Sequence, residues 1–541
     1  MKQIVSFLQS RWGWLWFLPL VMVIPHLLAR YGLDCTDTSY FLRAYTDWRH
    51  LPETYHYGLL LSHFSCYIGS IFVEQWGWNY LAIQHLAVAV IQCTIFIPFL
   101  FLWERPVDVR RMGWIFVGAQ LLLVPAGTFI FSFDMLTPLL LGLVFGLFVY
   151  HLRHPSAWPV VATGLLCAVL ITIRFPNIIL VGILVVLLLS EASGNRKWGL
   201  VWGKNLLLLT VGLSVGMWGI LALTFNRPGD YGTFICKAFS ANESTHQTAY
   251  LLFLYLLDFA KIVRNLLLLG AFVVVAQLLS KRSKAAALIV SACGTVAVVA
   301  YLWYRNAPHN VAFHFLFIAL LWGLTATYIW QNRHSKRARL IGCAILAFSV
   351  IPCTGSNTGL YKVAIYAFLP LAYYIAWPVI RKWRYVAVIP ILIVALYLPL
   401  RWVSFTYRDA GLPSLTTGLP YAQLKGIKTT PQKAEWVTDV GQTIEGYLAK
   451  GERPVLMGKS RFIFQYLYGL YDLFDQSFSA QWNEPFYLGH LENYLSTPPL
   501  SPFILLEVDE YPNQTTELLE KYRHELKRAD NGVLIYELAD N

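Results

Sequence analysis

Apolar stretches of roughly 17–25 residues recur along the first 400 positions, each the length of a helix that crosses a bilayer. Hydrocarbon offers the backbone no hydrogen-bonding partner. A chain with so many such stretches must therefore satisfy its peptide groups internally, as a bundle of transmembrane helices. Charge is scarce: 13% of the 541 residues are Asp, Glu, Lys or Arg, where a soluble protein carries about 25%. The first run, 12–29, is rich in Trp and lacks a small-residue cleavage site. It reads as a retained helix rather than a removed signal peptide. The formal net charge of +12 would suggest nucleic acid in a soluble protein. In a membrane protein, excess Lys and Arg collects in cytoplasmic loops, so no nucleic-acid partner is expected. The eight cysteines are scattered and form no CxxC pair, which leaves no zinc or redox motif.

Positive charge orients the runs. The tail with Lys2 and Arg11 starts inside, and the first span, about 12–30, exits. The short run 58–72 holds Ser, His and Gly; it reads as interfacial, because a crossing there would put the three arginines of "ERPVDVRR" (104–111) outside. Spans then follow at about 78–103, 112–131, 135–151, 157–173, 175–190, 200–224, 262–280, 285–303, 311–330, 339–352, 361–380 and 384–400, with a long outer loop over 225–260. Every loop assigned inside is basic, and the count is roughly thirteen spans.

Beyond about 401 the chain becomes polar and mixed. Thr430 followed by Pro431 reads as the start of a helix, with Trp436, Val440, Ile444 and Leu448 at helical spacing. "RPVLMG", "PFILLEV" and "NGVLIYEL" read as buried strands. The expected architecture is therefore an α-helical transmembrane domain over 1–400, with a first outer loop and interfacial helices at 31–77. A small outside α/β domain follows over 401–541. "MGKS" (457–460) is not a phosphate loop, since the first glycine of that motif falls at Arg453. Trp482, Phe486 and Tyr487 suit stacking on a glycan or core packing equally.

The outside loops carry acids at Asp34, Asp37, Asp47 and Asp134. They carry cations or imidazoles at His56, Arg174, Arg227, Lys237, Arg305, His309 and Lys362. Folded together, these make a pocket with carboxylates on one side and cations on the other. Such a pocket holds an anionic phosphate while a carboxylate deprotonates a nucleophile. Each residue also has a plain structural alternative. Asp34, Asp37 and Asp134 are placed to cap helices, and Arg174 and Lys362 to snorkel at helix ends.

In this setting "DTSYF" (37–41), just after the first span, resembles the acidic first-loop motif of the GT-C superfamily of membrane glycosyltransferases, with Thr38 where Glu is common. Protein O-mannosyltransferases and lipid A aminoarabinose transferases belong to that superfamily. The latter have thirteen spans and an outside C-terminal domain. Asp134 in "TFIFSFDMLTP" matches their second outer acid, and His56 in "TYHYG" lies near the place of a cationic phosphate contact. The resemblance covers most of 1–400 in architecture. It implies a polyprenyl-phosphate-linked sugar as donor and a lipid, glycan or protein hydroxyl as acceptor, in a membrane such as the bacterial inner membrane. It implies Asp37 as general base, with Asp34 nearby. His56, Arg174, Arg305, His309 and Lys362 would hold the donor phosphate, and a divalent metal between Asp37 and Asp134 is an option. The rivals are an O-antigen ligase or polymerase, which places its key residues in a late outer loop, and a lipid or glycan transporter, which shows internal repeats and mid-helix charges.

Overall fold

The structure is a computed structural model. The structure describes residues 12–46, 48, 62–102, 108–124, 131–225, 229–240, 248–306, 311–356, 358–381, 396, 409–458, 460–470, 484–496, 501–506, 513–530 and 532–539.

The chain is mostly helical. α1 (Phe17–Leu28) leads through an extended turn to the short α2 (Asp37–Thr46) and α3 (His63–Ser70). The long apolar helices follow: α4 (Tyr80–Phe96), α5 (Val109–Leu123), α6 (Phe133–Arg153), α7 (Ala157–Ile173), α8 (Ile179–Ala192) and α9 (Trp198–Thr224). After α10 (Asp230–Ser240) come α11 (Thr248–Ser280), α12 (Lys284–Asn306), α13 (Val311–Gln331), α14 (Lys336–Val350) and α15 (Ile365–Ile380).

Among the described residues seven helices are long and apolar enough to cross a membrane. They are α4, extended by a 3-10 turn to Leu100, α6, α8 with its entry turn from Phe175, α9, α11, α12 and α13. α7 and α15 are apolar but shorter, as is the run Gly13–Leu28. The protein is thus consistent with a multi-pass helical membrane protein. α5 and α14 have 15 residues each and carry basic residues in their first turn, which is why length and hydropathy alone do not count them. The expected last span, 384–400, apart from one residue, and the first half of the loop 104–111 lie outside the described residues; the second half of that loop leads into α5. α3 with its π-helical continuation, Ile71–Gln75, reaches only about 20 Å at 1.5 Å per residue, short of the ~30 Å hydrocarbon core.

One expectation is corrected. The long loop at 225–260 is mostly helix: α10 occupies part of it, and α11 starts at Thr248 and runs for 33 residues. Asp258 and Lys261, one turn apart in α11, pair at 2.8 Å. Two charges that seem to end an apolar run thus cancel inside it. Close helix contact needs small residues elsewhere. A Cβ on Gly164 of α7 would stand 2.3 Å from Leu209 O of α9, and one on Gly212 of α9 would stand 2.1 Å from Val161 O of α7. The backbones touch there, as small-residue helix pairs in membranes do.

The C-terminal part begins with a two-stranded ladder, β1 (Thr417–Gly418) and β2 (Lys428–Thr429), followed by α16 (Pro431–Ala449). Thr430 caps α16 by accepting from Lys433 N at 3.2 Å. Then come β3 (Val455–Met457), α17 (Arg461–Tyr468), α18 (Glu484–Leu495), β4 (Phe503–Leu506), α19 (Asn513–Lys521), β5 (His524–Asp530) and β6 (Val533–Leu538). The sheet order is β3-β4-β6-β5, with β3 and β4 parallel and the other pairs antiparallel. The three runs read as strands from sequence are β3, β4 and β6. Side chains at 482, 486 and 487 lie outside what is described.

This part is seated on the helical part. Gly32 N donates to Lys428 O and Lys428 N to Arg30 O, each at 2.8 Å, so Tyr31 pairs with β2 as a parallel bridge. Leu33 N donates to Asp409 Oδ2 at 2.8 Å, and Lys433 Nζ donates to Leu33 O. Tyr40 of α2 meets Phe462 of α17 edge to face at 4.8 Å. One apolar core runs from Ala29 through the helices to Ile535.

Candidate functional site

The site is built from three chain reversals at helix ends. α7 stops at Ile173 because Pro176 follows. That leaves Arg174 extended, at φ −157° and ψ 108°. α6 starts at Phe133, with Ser132 accepting from Asp134 N at 3.3 Å. α14 ends in the turn 351–353, and the chain reaches α15 through "CTGSNTGLYK" (353–362).

That last loop is held from outside. Gly355 and Gly359 adopt φ of +66° and +63°, values natural to glycine. Arg174 Nη2 donates to Thr354 O at 2.8 Å. Tyr255 of α11 donates its hydroxyl to Cys353 O at 2.6 Å, and Asp258 Oδ2 accepts from Leu360 N at 3.0 Å. The loop ends at Lys362, whose ammonium contacts both oxygens of Asp134, at 3.0 and 2.8 Å.

The two cations share one ring. Arg174 Cζ lies 5.8 Å and Lys362 Nζ 5.3 Å from the centroid of Phe133. On another side Phe133 meets Phe41 of α2 edge to face at 5.7 Å. Phe41 stands one helical turn after Asp37, and residues i and i+4 share a helix face. The helix that carries Asp37 and the two cations therefore converge on Phe133. Arg174 is 6% exposed, and its Nη1 is buried without an acceptor among the described residues. Burial pulls its pKa down and the Asp134 carboxylate pushes it up. A guanidinium stays protonated throughout, so a fixed positive charge with a spare donor faces the cluster.

The structural alternatives now separate. Asp34, 3% exposed, accepts from Thr36 N at 2.9 Å, Thr36 Oγ1 at 2.6 Å and Thr38 N at 2.6 Å. It is the carboxylate that caps the first turn of α2. Asp37 sits half-buried in that turn. Asp134 is not the cap of α6, since Ser132 is. Arg174 does not snorkel, since it is buried against a loop carbonyl. Arg305 lies in the last turn of α12, and Lys237 in α10, both with side chains outside the description. His56, His309, Asp47 and Arg227 lie outside the described residues. Sequence reasoning missed Tyr255 and Asp258, which shape the loop. The signal was present: Asp258 is the one acid within "AYLLFLYLLDFA" (249–260), and an acid in an apolar helix is retained for a reason.

The option of a metal between Asp37 and Asp134 finds no support in the donor set. Both Asp134 oxygens are taken by Lys362, and among the described residues no three His, Cys, Asp or Glu side chains stand together. No family model, no curated protein and no solved structure matches the chain.

Proposed function

We propose that this chain is an inverting glycosyltransferase of GT-C type, moving a sugar from a polyprenyl-phosphate donor to an acceptor hydroxyl. The observation that carries the reading is the convergence on Phe133 of Arg174, Lys362 and the helix bearing Asp37. The proposal includes about thirteen spans, with the N-terminus inside and the C-terminal part and the site on the outer face of a cell membrane. It places loop 104–111 inside. That sidedness rests on the basic-loop alternation.

In the reaction Asp37 takes the proton of the acceptor hydroxyl. The freed oxygen pair attacks the anomeric carbon from the face opposite the phosphate, forming the new C–O bond with inversion. The bond from the anomeric carbon to the phosphate oxygen breaks, and its electron pair leaves on the phosphate. Arg174 and Lys362 stabilise that charge as it develops. Lys362 exchanges part of its contact with Asp134 for the phosphate, and Arg174 Nη1, which has no acceptor among the described residues, supplies a donor once the phosphate opens a way to it. Positioned donors of this kind are worth most where water is excluded. A transporter would use a mid-span acid such as Asp258 as its coupling group. Here Asp258 is already engaged by Leu360 N and Lys261, which suits a structural post.

The test is a transfer assay with the full chain in nanodiscs and a panel of polyprenyl-phosphate sugars. Asp37→Asn, Arg174→Gln and Lys362→Gln are run beside the parent. Loss of transfer in all three, with monodisperse protein, supports the reading. Near-parental transfer by Asp37→Asn overturns it.

A further inference from the structure

We infer that a second, separate site binds a phosphate group, that of an anionic membrane phospholipid, in the cavity between the end of the first helix and the β1–β2 ladder. The cavity measures about 390 Å³ and is lined by Arg30, Tyr421, Lys425, Lys428 and the backbone around Gly418 and Gly426. That volume lies within the range of small-ligand pockets.

Three observations point to an anion there. First, all the charged residues of the lining are cations, and among the described residues no carboxylate pairs with any of the three. Second, two of them are held together by the fold. The Tyr31–Lys428 bridge fixes Arg30 and Lys428 side by side. Arg30 Cζ and Lys428 Nζ then lie 5.8 and 5.9 Å from the centroid of the same Tyr31 ring. Like charges gathered by backbone bonds repel one another, and a bound anion removes that cost. Third, the depth is that of lipid headgroups. Asn79, which caps α4, reaches Lys425 O at 3.5 Å, and a Cβ on Gly426 would stand 2.7 Å from Leu81 of α4. α4 is a candidate span, so the cavity sits at the end of a membrane helix. The adjoining Trp76 is 59% exposed and packs on Trp78 at 5.7 Å, as aromatic residues do at the bilayer interface.

The chemistry of the occupant follows. Two ammonium groups and one guanidinium suit a phosphodiester oxygen pair, and the adjacent bilayer supplies such groups at high local concentration. Basic residues near a charged leaflet contribute roughly fivefold each in binding. The site differs from the cluster at Phe133 and does not rest on the proposed enzymatic activity.

The experiment is native mass spectrometry of the full chain from detergent, with phosphatidylglycerol, phosphatidylcholine and inorganic phosphate as probes. The parent should retain phosphatidylglycerol over phosphatidylcholine. Lys425→Gln, at an exposed side chain, should weaken retention about fivefold, and Arg30→Gln/Lys425→Gln/Lys428→Gln on the order of 100-fold, with unchanged melting temperature. Should the triple variant misfold, the single variant carries the test. Displacement of the lipid by millimolar inorganic phosphate, with stabilisation of the parent and not of Lys425→Gln, keeps the phosphate chemistry and overturns the lipid as its source. Equal retention by parent and Lys425→Gln overturns the inference.

Discussion

Two groups of cations lie at helix ends in this protein, and they are built in opposite ways. Around Phe133, Arg174 is buried and Lys362 is matched by Asp134. The loop that carries Lys362 is clamped by Arg174, Tyr255 and Asp258. Around the β1–β2 ladder, Arg30, Lys425 and Lys428 line an open cavity without an acid. The first group is a fixed constellation held by specific bonds, with one guanidinium donor, Arg174 Nη1, left over. The second is a concentration of charge. A fixed constellation discriminates by geometry, whereas concentrated charge attracts without demanding one geometry.

The largest effect that sharpens this contrast belongs to Asp37. Asp37→Asn keeps shape and removes a base, so transfer should fall by about 10²–10⁴-fold with folding intact, as read by turnover and size-exclusion profile together. Next, Arg174→Lys should lower turnover by about 10²-fold or more, near the cost of losing one positioned donor. An ammonium cannot bond Thr354 O and hold a second donor in the same fork. Turnover at the parental level after that change would show that only charge matters there, and the contrast would collapse.

Gly359→Ala comes third. Its Cβ would stand 2.2 Å from Asp258 Oδ2, at a φ of +63°. A strained backbone of this sort costs on the order of 1–3 kcal/mol. The thermal midpoint should drop, and Asp258→Ala should recover part of it by removing the clash. Smaller again, Asp34→Ala removes a helix cap, worth about 0.5–2 kcal/mol. Stability should fall while turnover per folded molecule stays near parental, unlike Asp37→Asn. Smallest of all, Lys428→Arg in the cavity should leave phosphatidylglycerol retention within about twofold, because concentrated charge tolerates the exchange. A tenfold change would mean that the cavity too has a fixed geometry.

The sequence made some of these elements readable and hid others for physical reasons. Apolar run length placed α6, α7, α9 and α13 within a few residues, since hydropathy is a local property. Thr430 and Pro431 announced α16 through capping chemistry, which is equally local. The loop read at 225–260 failed because Asp258 and Lys261 look like an end to the run unless their pairing is known. Position along the chain favoured Asp34 as the cap and Asp37 as the candidate base, and the structure shows the first half of that division. Asp34 precedes the helix and Asp37 opens it, and the bonds from Thr36 and Thr38 identify Asp34 as the cap. The link between Arg174 and Thr354 spans 180 positions, and the bond from Lys362 to Asp134 spans 228. No local pattern records such contacts.

The bond from Leu33 N to Asp409 has a consequence in time. Its two residues are 376 positions apart, and the neighbouring bridge from Tyr31 to Lys428 is longer still. At about 5–20 residues per second of synthesis, the stretch around Asp34 and Asp37 must wait roughly 20–75 seconds for the partner that fixes its entry. During biogenesis the acidic turn therefore exists first without its clasp. Asp409, which also accepts from Thr429 Oγ1 at 2.6 Å, acts as a late fastener, so assembly of the proposed catalytic face is coupled to arrival of the chain's final quarter.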